Sequence, residues 1–289
     1  MTTFSLLEDA YDIHIHASPD MVSRALNLLQ LHQEAKKAGM AGILIKDHCT
    51  STVGRAAALN QMGGNCRFFS ALALNAPVGG INPAAVEAAL RAGVDVICFP
   101  TYCAENHILR WGAGKPPTAF PMPDQGFYGF NIFDQKHKLK PDVLEVLNLV
   151  AEHGAILATG HISAHEALVL LKKARNLRIE RLLVTHASES VCSYTEEEQR
   201  EAINFGAWIE HSFFAVTPSC PNPVSMKSMR DNIRSAGVNH VILSSDFGQE
   251  ANGNPITNFG KYLHKMHKIG FSLKEIRQMT NENPRKLLF

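Results

Sequence analysis

The sequence contains no Cys-x-x-Cys pair. Its six cysteines, Cys49, Cys66, Cys98, Cys103, Cys192 and Cys220, are scattered along the chain. That spacing argues against a disulfide framework or a structural zinc knot, and free thiols in a reducing cytoplasm are the expectation. An excess of one charge is also missing. With 28 Lys and Arg against 27 Asp and Glu, the formal net charge is +1. A nucleic-acid binder would carry a basic footprint, and no block of like charges forms an interaction tail. No apolar run is long enough to span a bilayer. The opening MTTFSLLEDA lacks the basic start and apolar stretch of a secretory signal. The first strand-like run does not lead into the glycine-rich phosphate turn of a dinucleotide fold. What is present is a chain of 289 residues, 45% of them hydrophobic, enough to bury one large core.

The recurring pattern is a short apolar run followed by an amphipathic segment. YDIHIH (11–16) reads as a first strand and 22–38 as a helix stopped by Gly39. Strands are expected at 41–48, 66–74 and 94–101, with helices at 52–62 and 83–93 between them; Pro83 suits a first helical turn. Residues 102–140 break the rhythm with Pro116, Pro117, Pro121 and Pro123, and read as a long loop or lid insertion. The alternation then resumes, with strands at 155–162, 181–187, 207–216 and 241–248. Helices are expected at 141–153, 164–175, 195–204, 225–236, 257–269 and 272–280. Eight apolar strands alternating with helices predict a parallel sheet covered on both faces. In this length they fit a single-domain (β/α)8 TIM barrel of the usual size, roughly 250 residues.

Catalytic groups of such barrels sit at the C-terminal ends of the strands. Strand one ends in His14 and His16, which alternation places on one face. Strand two ends in Lys46 and His48, strand five in His161, strand six in His186 and strand eight in Asp246. Strand seven offers Glu210 or His211, which face opposite ways. Strand four offers no carboxylate or lysine; Glu105 and His107 follow it in the loop. A lone strand histidine is more often a hydrogen-bonded packing residue than a ligand. So many imidazoles gathered at one barrel end would leave nitrogens unsatisfied. A divalent cation accounts for them together. Nitrogen-rich ligation with a carboxylate suits Zn2+, or Mn2+, Fe2+ or Co2+. Less specific candidates are Cys98 facing the site, and His107 and Arg110 as solvated groups or binders of an acidic group. Phe127, Tyr128 and Phe130 read as a lid or a packing cluster, and Thr159–Gly160 and Ser244–Ser245 as hydrogen-bonding neighbours of the ligands.

In this order and strand placement, the residues resemble the amidohydrolase superfamily, in particular its phosphotriesterase-like and TatD-like members. The ending NENPRKLLF resembles the Asn-Pro-x-x-hydrophobic close of that superfamily, and the resemblance spans residues 11 to 289. It implies a metal-dependent hydrolase that activates water to cleave an amide, a lactone or other ester, or a phosphoester of a small molecule. By the resemblance, His14, His16 and Asp246 hold one ion and His161 and His186 a second. Asp246 would also move the proton, and Lys46 or His48 would stabilise developing charge. The bridging glutamate or carboxylated lysine usual on strand four is absent from VICFPT. Lys46 stands open between a carbamate bridge, an ammonium that binds an anionic substrate, and a structural ion pair. His48 stands open between ligand and donor. A decarboxylase or other lyase on the same site, a phosphoesterase with a trinuclear site and a non-catalytic metal- or ligand-binding barrel are the alternatives. No nucleic-acid or membrane partner is expected, and a homo-oligomer is the base-rate expectation.

Overall fold

The computed structural model describes residues 6–112 and 127–289. Eight strands run in sequence order as one parallel sheet: β1 Tyr11–Ile15, β2 Gly42–Ile45, β3 Arg67–Ala73, β4 Val96–Cys98, β5 Ile156–Ala158, β6 Leu182–Val184, β7 Ala207–Ser212 and β8 Val241–Ser244. The sheet closes on itself just past its strand ends. Asp246 N donates to His14 O at 2.8 Å, and His16 N donates to Phe247 O at 2.8 Å. The result is the expected (β/α)8 barrel.

Helices α1 Leu28–Lys37, α2 Val53–Gln61, α3 Pro83–Arg91, α4 Glu105–Trp111, α5 Pro141–His153, α6 Ala164–Asn176, α7 Glu196–Asn204, α8 Met226–Ala236, α9 Pro255–Lys268, α10 Leu273–Arg277 and α11 Asn283–Leu288 surround the sheet. Several start where a polar side chain meets the free backbone N–H groups of the first turn. Asn82 accepts from Ala84 N and Ala85 N ahead of Pro83, and Ser163 with Glu166 and Thr195 with Glu198 form reciprocal caps.

The core has two compartments. Tyr11, Ile13, Leu44, Ala71, Val96 and Leu183 pack inside the barrel, together with Leu287 and Leu288 of α11. Ile15, Ile43, Ile45, Val146, Leu147 and Leu170 belong to the layer between strands and helices. Each such side chain stabilises the fold by about 1.5–3 kcal/mol relative to exposure. Asn283 secures α11 by donating through Nδ2 to Val238 O at 2.7 Å and Val241 O at 2.6 Å.

Several expectations change, and the strands expected over 41–48, 94–101, 181–187 and 241–248 end three to four residues early, at Ile45, Cys98, Val184 and Ser244. The helix expected over 22–38 starts only at Leu28. Asn27 caps it in a box with Gln30, while the preceding loop bonds elsewhere, with Ala25 N donating to Gly248 O at 2.8 Å. The strand expected over 155–162 stops at Ala158, because Gly160 takes a left-handed φ of 64°. The strand expected over 207–216 ends at Ser212 and turns into a short 3-10 helix, Phe213–Val216. The segment 102–140, expected as loop, opens with α4; residues 113–126 of the expected lid, including its prolines, lie outside the described residues. Among the described residues no helix is long and apolar enough to cross a membrane, and all six cysteines are free thiols.

Candidate metal centre

The first strand reaches the site through an irregularity. Asp12 pairs with Ile43 and Ile15 with Ile45, so β1 carries one residue more than β2 between these pairs. Tyr11 and Ile13 lie inside the barrel and Ile15 outside it. Strict alternation from Ile13 would send His14 and His16 outward. The bulge reverses the parity, re-aiming side chains at a barrel rim as such bulges do. Both histidines share a face, as their spacing predicts, and the bulge makes it the inner one.

His14 and His16 converge on one oxygen of Asp246, at the end of β8. Asp246 Oδ1 lies 3.1 Å from His16 Nε2 and 3.3 Å from His14 Nε2. The other nitrogen of His14, Nδ1, lies 2.9 Å from Glu210 Oε1. The Ser244 hydroxyl donates to the same Glu210 oxygen at 2.6 Å. Burial acts to raise the Glu210 carboxyl, but the His14 contact and the charges of His186 and Lys46 hold it well below the usual carboxylate range. An ionised carboxylate only accepts, so His14 Nδ1 carries the proton and Nε2 turns its lone pair toward Asp246. Burial, with the Lys46 charge adding to it, lowers His14 to about 4. Burial and then Arg24 lower His16 to about 3. Both rings are therefore neutral near pH 7. A lone pair 3.3 Å from a carboxylate oxygen is an unfavourable contact that a cation between them would reverse.

His186 completes the group. Ligand-type atoms of His14, His186 and Asp246 all lie within 4.8 Å of one another. His186 Nδ1 is 2.6 Å from Glu189 Oε1, which also accepts from the Ser212 hydroxyl. Burial alone would lower His186; the Glu189 charge and hydrogen bond prevail and raise it. With Nδ1 on Glu189, a metal would take this ring's Nε2 in its deprotonated form. His186 and Asp246 have φ of 59° and 49°. Non-glycine residues held in this region cost about 1–3 kcal/mol and cluster at functional sites.

His161 packs its ring against His186 at 4.7 Å between centroids. Its Nδ1 lies 2.7 Å from His107 Nδ1, so one ring donates to the other. Gly160 allows this placement: a Cβ there would meet Phe99 O at 2.2 Å. On the other side of the site His48 stacks on Tyr102 at 4.1 Å and on His16 at 4.8 Å, and its Nδ1 lies 2.9 Å from Thr101 Oγ1. Burial, then His16 and Arg24, lower it well below its ordinary value. Lys46 is 4% exposed, and its charge acts on the Cys98 thiol, which burial pushes up.

The structure thus brings His14, His16, His161, His186, Asp246, Lys46, His48 and Cys98 to one barrel end. The secondary candidates divide between neighbours of this cluster and residues bonded away from it. His107 is fully buried against His161 rather than solvated. Arg110 donates to Asn106 Oδ1 and Ser190 O, and Glu105 accepts from Asn131. Phe127 packs on Phe130 at 5.0 Å between centroids, while Tyr128 is 79% exposed. Ser244 bonds Glu210, and Ser245 donates to His14 O. Thr159 bonds Thr185 and reaches no candidate ligand directly. The sequence left Glu210 paired with His211 as alternatives and passed over Glu189, Tyr102 and Arg24. A parity signal for Glu210 existed: Trp208, Glu210 and Ser212 alternate with Ile209, His211 and Phe213, and Ile209 and Phe213 belong to the outer layer. Glu189 and Tyr102 lie in turns, where no periodicity points to them.

The donor set fits a first-row divalent ion: it offers the neutral imidazoles of His14 and His16 and one carboxylate, and among the described residues His16 Nδ1 and Glu210 Oε2 are buried without a hydrogen-bond partner. No curated protein matches the chain. Solved structures similar to it include an amidohydrolase from Pseudomonas aeruginosa, at 12% identity and TM-score 0.69, covering 100% of this chain and 98% of that one. An organophosphorus hydrolase from Deinococcus radiodurans matches at 12% identity and TM-score 0.62, covering 100% and 94%. A probable dipeptidase from Pseudomonas aeruginosa matches at 11% identity and TM-score 0.60, covering 99% and 96%. These likenesses establish a shared barrel fold. A family model matches residues 9–210, and by that match the chain belongs to DUF6282, a family of unknown function.

Proposed function

We propose that the chain is a metal-dependent hydrolase of a small-molecule substrate, with its active site at the C-terminal end of the barrel. One observation carries the reading: the neutral His14 Nε2 and His16 Nε2 both face Asp246 Oδ1, with His186 completing a group of ligand-type atoms within 4.8 Å. His14, His16, His186 and Asp246 would hold a divalent ion, most simply Zn2+, with Mn2+, Fe2+ or Co2+ served by the same donors. His161, beside His186, would extend the set toward a second ion. Such a cation supplies Lewis acidity and makes water nucleophilic near neutral pH. Names of the structural neighbours, an amidohydrolase, an organophosphorus hydrolase and a probable dipeptidase, are in keeping with hydrolysis and leave the bond open.

The chain's own groups then have separable tasks. Glu210 and Glu189 orient His14 and His186 through their Nδ1 atoms. Asp246 Oδ2, on the side of His186, accepts a proton from the attacking water and returns it to the leaving group. His48, neutral and held by Thr101 and Tyr102, and Lys46 would stabilise charge developing on the substrate oxygen. The test is a panel of amide, lactone and phosphoester substrates run on the wild type and on Asp246→Asn and His14→Ala. Turnover of one bond class, lost in both variants, supports the reading. Turnover that survives both substitutions refutes it. Release of CO2 in place of hydrolysis would move the site to a lyase. An intact mass raised by one CO2, mapped to Lys46, would identify it as a bridging carbamate.

A further inference from the structure

The loop between β1 and α1 carries an arginine that the metal centre does not account for. The Arg24 side chain is 1% exposed and that of its partner Asp20 4%. Arg24 Nε donates to Asp20 Oδ2 at 2.8 Å. Nη2 lies 2.8 Å from the same oxygen, in a direction that makes no hydrogen bond. A guanidinium has five N–H donors in a planar fork. Among the described residues this one meets a single acceptor atom. A desolvated cation with so few partners is costly, and a planar or tetrahedral oxyanion is the ligand that the fork fits bidentately.

Its position joins it to the site. Arg24 bridges in antiparallel fashion to Gln249, and the Gln249 amide donates to Asp246 O at 3.0 Å. Arg24 also lines a small cavity with Asp20, Met21, His48, Cys49 and Tyr102. His48 and Tyr102 in turn contact the ring cluster of His16 and His161. The cavity, about 10 Å³ with Asp20 in place, therefore lies beside the ring cluster of the metal centre, and withdrawal of Asp20 would enlarge it.

We propose that Arg24 anchors the substrate: it binds an oxyanion group, a carboxylate or a phosphate, beside His48 and Tyr102, and Asp20 holds that place until the substrate arrives. The assignment rests on reading this barrel end as the active site, and it narrows the substrate class to small anionic molecules. The fork exchanges one carboxylate for another oxyanion, and the released Asp20 carboxylate, 4% exposed in the pair, has to turn out to water for the exchange to balance.

The test titrates inorganic phosphate and acetate into the full-length, metal-loaded protein, comparing the wild type with Arg24→Gln and Asp20→Asn, and measures metal content in every sample. The wild type is expected to bind one of the two anions, and the tighter one names the substrate group. Arg24→Gln is expected to weaken it about 10- to 100-fold, and Asp20→Asn, by removing the internal competitor, to strengthen it. An unchanged affinity in both variants, or no binding of either anion by the wild type, overturns the proposal and leaves Arg24 as a structural ion pair. If Arg24→Gln does not fold, Asp20→Asn decides alone: tighter binding supports the anchor and unchanged binding overturns it. A wild type that binds the anion through Arg24 yet holds no metal keeps the anchor and removes the metal reading.

Discussion

Glu210→Gln separates the two tasks that a buried carboxylate can have here. Glu210 Oε1 accepts from His14 Nδ1 at 2.9 Å and from Ser244 Oγ at 2.6 Å. A hydrogen bond to a charged group contributes about 1.5–3 kcal/mol, roughly twice a neutral one. Glutamine keeps the shape and one carbonyl oxygen for His14, so about half of that contribution is lost. The negative charge that makes His14 Nε2 a stronger donor to a cation is lost with it. Partners of this kind are typically worth 10- to 100-fold in metal affinity, or about 1.4–2.7 kcal/mol. A neutral amide costs less to bury than a carboxylate, which offsets most of the loss from the two weaker bonds, so the metal-free fold should change by no more than about 1 kcal/mol. The assay is competition with a coloured chelator, paired with thermal unfolding of the stripped protein. His211→Ala is the control, since that ring faces the other way and contacts Ser188 Oγ at 2.7 Å; its metal affinity should match the wild type. A Glu210→Gln protein with unchanged metal affinity and a lower Tm would mean that Glu210 only packs, and the argument for the orientation of His14 would fail.

Other consequences can be checked separately. Asp246→Asn should lose bound metal while the stripped protein keeps its Tm, because asparagine tolerates the left-handed φ of 49° at that position; elemental analysis and calorimetry read the two effects. Gly160→Ala should destabilise the fold by more than about 1 kcal/mol, since its Cβ would meet Phe99 O at 2.2 Å, and denaturant unfolding measures this. The Arg234–Glu275 pair should give a small acid-side term. Its hydrogen bonds hold Glu275 at about 2, below the ordinary 4.5. A depressed carboxyl pKa stabilises above the unfolded value, so the contribution is whole above about pH 4.5 and fades as pH falls toward 2. Both partners are partly exposed, at 41% and 27%, which limits the effect to about 0.2–1 kcal/mol. Glu275→Gln should remove that pH dependence from the stability curve.

The barrel was legible in the sequence because most strands are largely apolar and several helices carry their own start and stop residues. The strand-end positions of His14, His16, His161, His186 and Asp246 were legible because a polar side chain that closes a buried apolar run must find a partner there. Glu210 was not separated from His211, since AWIEHS does not by itself reveal the outer-layer partners of Ile209 and Phe213 that assign its faces. Arg24 was absorbed into a helix, because Val22, Ala25, Leu26 and Leu29 mimic helical spacing while the chain instead bonds to Gly248. The bulge in β1 leaves no mark in YDIHIH, although the inward turn of both histidines depends on it. The His107–His161 contact joins helix α4 to the loop after β5 across 54 positions, a pairing that no local pattern encodes.

The most direct test of the central claim is elemental analysis of the full-length protein, expressed in metal-supplemented medium and purified without chelator, alongside the double variant His14→Ala, His16→Ala. The wild type should carry at least one equivalent of a first-row divalent metal per chain, and the variant, folded by circular dichroism, should carry almost none. A wild type with no bound metal, or a variant that retains the wild-type amount, would contradict the account.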